Sequence, residues 1–151
     1  MSHHGTTRKI VKQMAHYLGE ENTTVIDLKK GDVPDLDSYD SILIGGSIHV
    51  GQIQKKIRMF CVAYEDVLLL KRIGLFMCSL DTADQNQEYN SAFPERLRKH
   101  ALAHGFFGGE LLLDKMSLFE KYFVQTIYGI NKNVYELDDE AIELFGQKMA
   151  H

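Results

Sequence analysis

The amino-acid sequence predicts an α/β fold, a doubly wound parallel sheet in three layers with helices on both of its faces. Residues 41–47 form a continuous apolar run that ends in glycines, and residues 72–78 form a second run of the same kind. Such runs are typical of strands that are buried on both faces of a parallel sheet. Helical spacing of apolar residues before, between and after the two runs favours crossover connections.

The individual elements follow from the same periodicities. Five segments with apolar residues at spacings of three and four are predicted to be helices: residues 6–18, 54–70, 93–104, 117–128 and 138–150. Four β-branched or continuously apolar segments are predicted to be strands: residues 23–28, 41–47, 72–78 and 106–113. The Gly108-Gly109 pair predicts a bulge or a close approach of two backbones. Residues 81–89 are polar and predict a loop.

Length, charge and cysteine content narrow the class of protein. The 151 residues predict a single domain, 1–151, with an extra helical segment at about 115–134. A net charge of −4 gives no positive field for nucleic acid. No apolar run approaches the roughly 20 residues that cross a bilayer, so we expect a cytoplasmic protein. Cys61 and Cys78 are too few for a disulfide framework or a zinc cluster and are expected to be buried.

A loop of small and hydroxyl residues precedes the first helix. Its residues are Ser2, His3, His4, Gly5, Thr6 and Thr7. Small residues let the backbone wrap around an anion, hydroxyls donate to phosphate oxygens, and a helix N-terminus presents N–H groups with a favourable dipole. A plain helix N-cap explains the same residues, so the loop alone leaves both interpretations open.

The chain resembles the flavodoxin-like superfamily in two motifs. Residues 2–7 resemble the phosphate-loop fingerprint, a hydroxyl residue three positions before Gly and a Thr two positions after it. Residues 44–51, Ile-Gly-Gly-Ser-Ile-His-Val-Gly, are similar to the second flavin loop of the protoporphyrinogen oxidase branch, the menaquinone-dependent dehydrogenases. That loop typically reads Ile-Gly-Ala-Ser-Ile, a basic or aromatic pair, then Gly. The resemblance covers nearly the whole chain in order.

The resemblance implies a non-covalently bound FMN, electron or hydride transfer through the flavin, and no metal. Residues 2–7 would hold the phosphate. One side of the ring would be lined by Gly46, Ser47, Ile48, His49 and Gly51, and the other by Cys78, Ser79, Leu80 and Asp81. Independently, glycines after a buried strand let backbone groups approach the edge of a flat ring.

Several polar side chains have both a functional and a plain interpretation. His49 is the predicted catalytic residue, because histidine beside a reduced flavin stabilises the anion or shuttles a proton; a solvated loop histidine is the alternative. Asp81 and Asp84 are expected to be turn-forming carboxylates, with proton transfer as the alternative. His100 and His104 stand four residues apart on a predicted helix without a third metal ligand nearby, which favours surface or partly buried histidines.

The apolar stripe of residues 118–128 also has two interpretations. It covers the edge of the sheet as part of the core, or it presents aromatic side chains to a bulky apolar substrate or a membrane surface. Only Lys115 and Lys121 accompany it, which is too little positive charge for a membrane helix, so no membrane attachment is predicted.

The sequence departs from the flavodoxin pattern at its beginning. Flavodoxin-like chains start with an apolar strand that leads into the phosphate loop, whereas only Met1 precedes Ser2 here. Omitting that central strand exposes the backbone edges of its two neighbours. The explanations are a sequence that starts late, which we favour, a partner chain or other segment that fills the gap, or a protein that has lost FMN binding.

The resemblance implies an FMN-binding flavodoxin-like oxidoreductase whose partner is a redox protein or a small molecule, with a porphyrinogen or a quinone as candidates. The alternatives are an electron-carrier flavodoxin without its own substrate, and a truncated interaction module without FMN, which would be a homodimer that shares strands or a poorly stable monomer. Carrier flavodoxins are commonly acidic around the flavin. Lys55, Lys56 and Arg58 near His49 therefore favour an enzyme.

Overall fold

The predicted alternation of strands and helices is present in the computed structural model, which describes residues 5–80, 83–127 and 129–150. The helices are α1 (Thr6–Leu18), α2 (Lys55–Ala63), α3 (Glu65–Leu68), α4 (Gln85–Ala92), α5 (Glu95–His100), α6 (Leu118–Ile127) and α7 (Asp139–Ala150). The strands are β1 (Ser41–His49), β2 (Gln52–Ile53), β3 (Arg72–Cys78), β4 (Ala103–Phe106), β5 (Gly108–Leu111) and β6 (Val134–Leu137).

The main sheet has four strands in the order β2-β1-β3-β4. β1 and β3 are parallel and in register from Ser41 opposite Arg72 to Ser47 opposite Cys78. β4 is parallel to β3, and β2 adds a short antiparallel pair to the end of β1. β5 and β6 form a separate antiparallel ribbon. The mostly parallel sheet confirms the predicted α/β class.

Helices cover both faces of the main sheet. Alternate residues of β3 point to opposite faces, so Ile73, Leu75 and Met77 join one core cluster, whereas Phe76 and Cys78 join the other. The first cluster is completed mainly by buried residues of α2, α4 and α5, and the second by buried residues of α1 and α7. This arrangement gives the three predicted layers.

The predicted strand at residues 23–28 is absent. These residues follow α1 and a short 3-10 turn, and they form no ladder with any described strand, although Thr23 has extended φ and ψ angles of −117° and 127°. A strand is defined by the neighbour with which it shares hydrogen bonds. β-branched composition alone therefore did not make this segment part of the sheet.

Two other boundaries differ from the predictions because of pairing with distant residues. The helix predicted over 93–104 ends at His100, and the chain then enters β4, parallel to β3. The strand predicted over 106–113 is divided, because β5 leaves β4 to pair with β6, a strand that the sequence did not predict. The close approach predicted at Gly108 is confirmed: its φ is 68°, and a Cβ there would lie 1.8 Å from the carbonyl oxygen of Glu136.

The remaining differences concern helices. The segment 54–70 divides at Tyr64 into α2 and α3, and the predicted polar loop becomes α4 from Gln85 onward. α6 is present, but Leu118, Phe119, Tyr122 and Ile127 are 61–85% exposed. For these four residues the interpretation as core is wrong. Among the described residues, no helix has the length and apolarity required to cross a bilayer.

Candidate functional site

The N-terminus of α1 has the properties of an anion site. Gly5 precedes the helix with φ 89° and ψ −2°, a conformation that favours glycine, and a Cβ at Gly5 would meet no atom within 4 Å. The first turn of α1 contains no acidic side chain. Because the first backbone N–H groups of a helix point out of its end, this turn suits a phosphate.

The Thr7 hydroxyl joins the three predicted loops. Thr7 is 1% exposed, and its Oγ1 lies 2.8 Å from Ser47 Oγ across 40 residues of sequence. The same side chain lies beside the Cys78 thiol, where its hydroxyl partly offsets the burial that raises the pKa of that thiol. Ser47 and Cys78 are direct neighbours at the carboxyl ends of β1 and β3, where parallel sheets bind their ligands.

The second predicted flavin loop is a β-hairpin. Ile48 pairs with Ile53 and His49 with Gln52, so Val50 and Gly51 form the two-residue turn. Both turn residues have positive φ, 51° and 71°, as in a type I′ turn. His49 and Val50 are exposed, whereas Ser47 and Ile48 are half-buried. The hairpin thus places the predicted catalytic histidine beside its tip.

Gln54 is a member of the site that the sequence did not reveal. Its Oε1 accepts a hydrogen bond of 3.1 Å from the backbone N–H of Ser47, and its buried Nε2 has no hydrogen-bond partner among the described residues. A Cβ on Gly46 would lie 2.3 Å from Gln54 Oε1. Glycine at position 46 thus makes room for the amide, and that glycine was the one available signal.

The third loop begins at Cys78. Burial raises the pKa of this thiol to about 12, so Cys78 is a structural thiol rather than a nucleophile. Ser79 and Leu80 are half-buried, and Leu80 lies against Gly109 of β5. The other predicted members of the site, Ser2, His3, His4 and Asp81, lie outside the described residues.

Comparison with known families identifies the fold. The profile of the family described as Flavodoxin domain matches residues 1–138. The chain belongs to the flavodoxin-domain family. No curated protein matches the sequence of this flavodoxin domain.

The two histidines considered for metal binding are separated in this flavodoxin domain. His100 ends α5 and its Nε2 lies 2.8 Å from the carbonyl oxygen of Lys71, whereas His104 is in β4 and its Nδ1 contacts the hydroxyl of Tyr89. The prediction that they share a helix is wrong, because residues 103–106 pair with β3. Partial burial lowers the pKa of His104. Within the described ranges, no group of histidine, cysteine and acidic residues is arranged to hold a metal.

Of the three basic residues that the sequence placed near His49, two lie beside the hairpin. Lys55 and Arg58 are exposed on α2 and border a shallow cavity of about 500 Å³ next to Gln52 and Ile53. Lys56 instead donates to the carbonyl oxygen of Leu28, 3.1 Å away. Asp84 directly precedes α4, and its side chain does not cap that helix.

The described residues fit FMN, which flavodoxin domains typically bind. Among the described residues, no side chain caps the N-terminus of α1 and no acidic residue stands in its first turn, which matches a phosphate. The Gln54 amide N–H without a described partner matches a ligand rich in acceptors. Both features lie at the same end of the sheet, since Ser47 contacts Thr7 and Gln54.

Proposed function

We propose that this flavodoxin domain binds FMN at the carboxyl ends of β1 and β3 and acts as a flavin-dependent oxidoreductase. The main support for this proposal is the hydrogen bond between Thr7 and Ser47. It joins the loop assigned to the phosphate to the end of β1, which is assigned to the flavin ring. FMN, when bound, would supply reversible acceptance of electrons or hydride.

The chain's own residues bind and orient the cofactor in this proposal. The phosphate is assigned to the backbone N–H groups of Thr6 and Thr7 and to the loop before them. Because the Thr7 side chain is buried between Ser47 and Cys78, its hydroxyl positions the loop and its backbone meets the ligand. Gln54 Nε2 is assigned to a polar edge of the ring.

Titration of the purified chain with FMN tests the binding proposal through flavin fluorescence and the visible spectrum. Thr7→Val keeps the side-chain shape and removes the hydroxyl. Loss of one or two hydrogen bonds should weaken FMN binding roughly 3- to 10-fold. Thr23→Val is the matched control, since the Thr23 hydroxyl bonds to the carbonyl oxygen of Gly19 away from the site.

The control should bind FMN as the wild type does, and circular dichroism should show both variants folded. If the wild type shows no binding at about 100 µM FMN, the proposal fails, because the affinity would be weaker than about −5.5 kcal/mol. Equal effects of Thr7→Val and Thr23→Val would refute the assigned role of Thr7.

We further propose that the domain is an enzyme of the protoporphyrinogen oxidase branch, with a porphyrinogen as electron donor and a quinone as acceptor, in the cytoplasm. The sequence of residues 44–51 supports this assignment. Exposed Lys55 and Arg58 beside the hairpin argue against the acidic surface of a carrier flavodoxin. The exposed apolar side chains of α6 suit a bulky apolar substrate.

His49 is assigned to proton exchange through its imidazole nitrogens, because it is exposed beside the hairpin turn. With protoporphyrinogen and a quinone as substrates, His49→Gln should lower turnover by roughly 100-fold and leave FMN affinity unchanged. His16→Gln on the exposed surface of α1 is the matched control. Reduction by a flavodoxin reductase without any porphyrinogen turnover would instead identify an electron carrier.

A further inference from the structure

An exposed face of α2 borders the shallow cavity of about 500 Å³ beside the hairpin. One wall of that cavity is formed by four residues at positions i, i+3, i+4 and i+7 of the helix: Lys55, Arg58, Met59 and Val62. Residues at this spacing share one side of a helix, and we call these four the α2 face. It presents two cations near the start of α2, followed by two apolar side chains.

The two cations of the α2 face have no ion-pair partner in the described parts of the chain. Elsewhere, Arg8, Lys9 and Arg96 each have a carboxylate oxygen at 2.8 to 3.1 Å. Within the described ranges no carboxylate pairs with Lys55 or Arg58, and α2 itself contains no acidic residue. Both charges are therefore available to an anion from another molecule.

The same cations stand where positive charge destabilises a helix. Lys55 and Arg58 belong to the first turn of α2, and that turn has no acidic side chain. Basic side chains there oppose the partial positive charge of the helix N-terminus, whereas acidic ones stabilise it. A bound anion would reverse this cost, because both the side chains and the helix N-terminus attract it.

The apolar part of the α2 face lies outside the core. Met59 and Val62 are 57% and 69% exposed, and neither belongs to a core cluster. The volume of the cavity falls within the roughly 300–1,000 Å³ of pockets that hold one small organic molecule. A stable protein partner instead needs an interface of roughly 800 Å² on each side. The dimensions therefore favour a small molecule.

We propose that the α2 face binds a small molecule that has an apolar body and two carboxylates at one end. Lys55 and Arg58 pair with the carboxylates, and Met59 and Val62 cover the apolar body. Two carboxylates are favoured over one because the two cations stand one helical turn apart and each takes a separate charge. The α2 face contains none of the residues assigned to FMN, so this site goes beyond the proposed flavin chemistry and does not depend on it.

The experiment uses the full chain without FMN and 2-octylsuccinate as the probe, because this molecule has an eight-carbon chain beside two carboxylates. Shifts of NMR amide signals should map its binding to residues 52–63, with a Kd of about 1 mM or less. Two related molecules are controls. Succinate lacks the apolar chain and octylsuccinamide, the uncharged diamide, lacks the carboxylates, so both should bind at least about tenfold more weakly.

Single substitutions test the two parts of the site separately. Lys55→Gln and Arg58→Gln should each weaken binding roughly threefold, whereas Lys12→Gln at an exposed position of α1 should leave it unchanged. Val62→Asn should also weaken binding roughly threefold, because it removes apolar contact with the probe. Leu144→Asn is the matched control, since Leu144 is an exposed apolar residue of α7 away from the cavity.

A charge reversal distinguishes a binding role from a structural one. Lys55→Glu places an acidic side chain at the helix N-terminus, so it should raise the melting temperature by about 1–4 °C. The same change should weaken octylsuccinate binding at least about tenfold, because an attraction becomes a repulsion. A fall in the melting temperature together with the loss of binding would make Lys55 a structural residue and overturn the proposal.

Other results also overturn it. These are absence of shifts at about 1 mM octylsuccinate, shifts centred outside residues 52–63, and equal binding of succinate or of the diamide. Shifts of the α2 face that grow with protein concentration without the probe would make a second copy the occupant. Tighter binding of a helical peptide with two glutamates ahead of two leucines would make a partner protein the occupant. None of these outcomes bears on FMN binding, which is measured separately.

Discussion

Substitution of Gly46 by alanine tests the packing of Gln54 against β1. The new Cβ would lie 2.3 Å from Gln54 Oε1, and 3.3 Å and 3.4 Å from carbon atoms of Ile53 and Ile57. The amide oxygen therefore has to move by roughly 1 Å to reach ordinary contact distance. That movement breaks its 3.1 Å hydrogen bond with the Ser47 N–H.

The expected cost of Gly46→Ala follows from that bond. Leaving a largely buried N–H without its partner costs about 1–3 kcal/mol, so the free energy of unfolding should fall by about 2 kcal/mol. For a chain of this size the melting temperature should fall by about 4–8 °C. Gly31→Ala is the control: its Cβ would lie 3.7 Å from the nearest atom, the carbonyl oxygen of Asp27, so stability should be nearly unchanged.

A double-mutant cycle measured by urea denaturation separates this cause from others. Gln54→Ala alone should cost about 1 kcal/mol, because the same hydrogen bond is lost. In the double variant Gly46→Ala/Gln54→Ala the oxygen that obstructs the new methyl group is gone, so the two costs should overlap by about 1 kcal/mol. Strictly additive costs would refute the reasoning that Gly46 makes room for the Gln54 amide.

Three further predictions concern the turn, the segment after α1 and the cysteines. Val50 is β-branched and has a φ of 51°, a backbone conformation that strains such a residue. Val50→Asn should therefore raise the melting temperature by about 2–4 °C, whereas the control Val62→Asn on α2 should not. An unchanged melting temperature for Val50→Asn would show that Val50 is not strained. The backbone N–H of Lys29 and the Arg8 side chain lower the pKa of Asp27 in the folded state. This contribution is therefore present above the usual aspartate range and lost as the pH falls through the lowered pKa. Asp27→Asn should cost under about 1 kcal/mol at pH 7, and urea titrations at successively lower pH below the usual aspartate range should show a smaller cost. Burial raises the pKa of both cysteine thiols to about 12, so a thiol reagent at pH 8 should label them only after unfolding; rapid labelling of the folded chain would contradict their burial.

Local sequence patterns predicted the elements that depend on local burial. The apolar runs of β1 and β3 and the helical face of α1 agree with the structure, because each pattern reflects which side chains enter the core. Residues 23–28 and β6 show the limit of this approach. The first has strand composition without a partner in the sheet, and the second is a strand only because it pairs with β5.

The candidate site was predictable to a similar degree. Two motifs about 40 residues apart named Thr7 and Ser47, and the structure brings their hydroxyls to 2.8 Å. Gln54 carried no signal of its own, because an amide side chain acquires a role here only through the backbone that it meets. The apolar residues of α6 have a clear helical pattern. Such a pattern predicts the helix, but it does not show whether another part of the protein covers the apolar face.

The sequence by itself determined the α/β class, the order of its main elements and the loops in which a candidate site was sought, since these follow from periodicity and motif spacing. Only the tertiary structure decided which extended segments share a ladder and that residues 48–53 close into a hairpin. The physical reason is that hydrogen bonds between strands join residues that no local pattern connects.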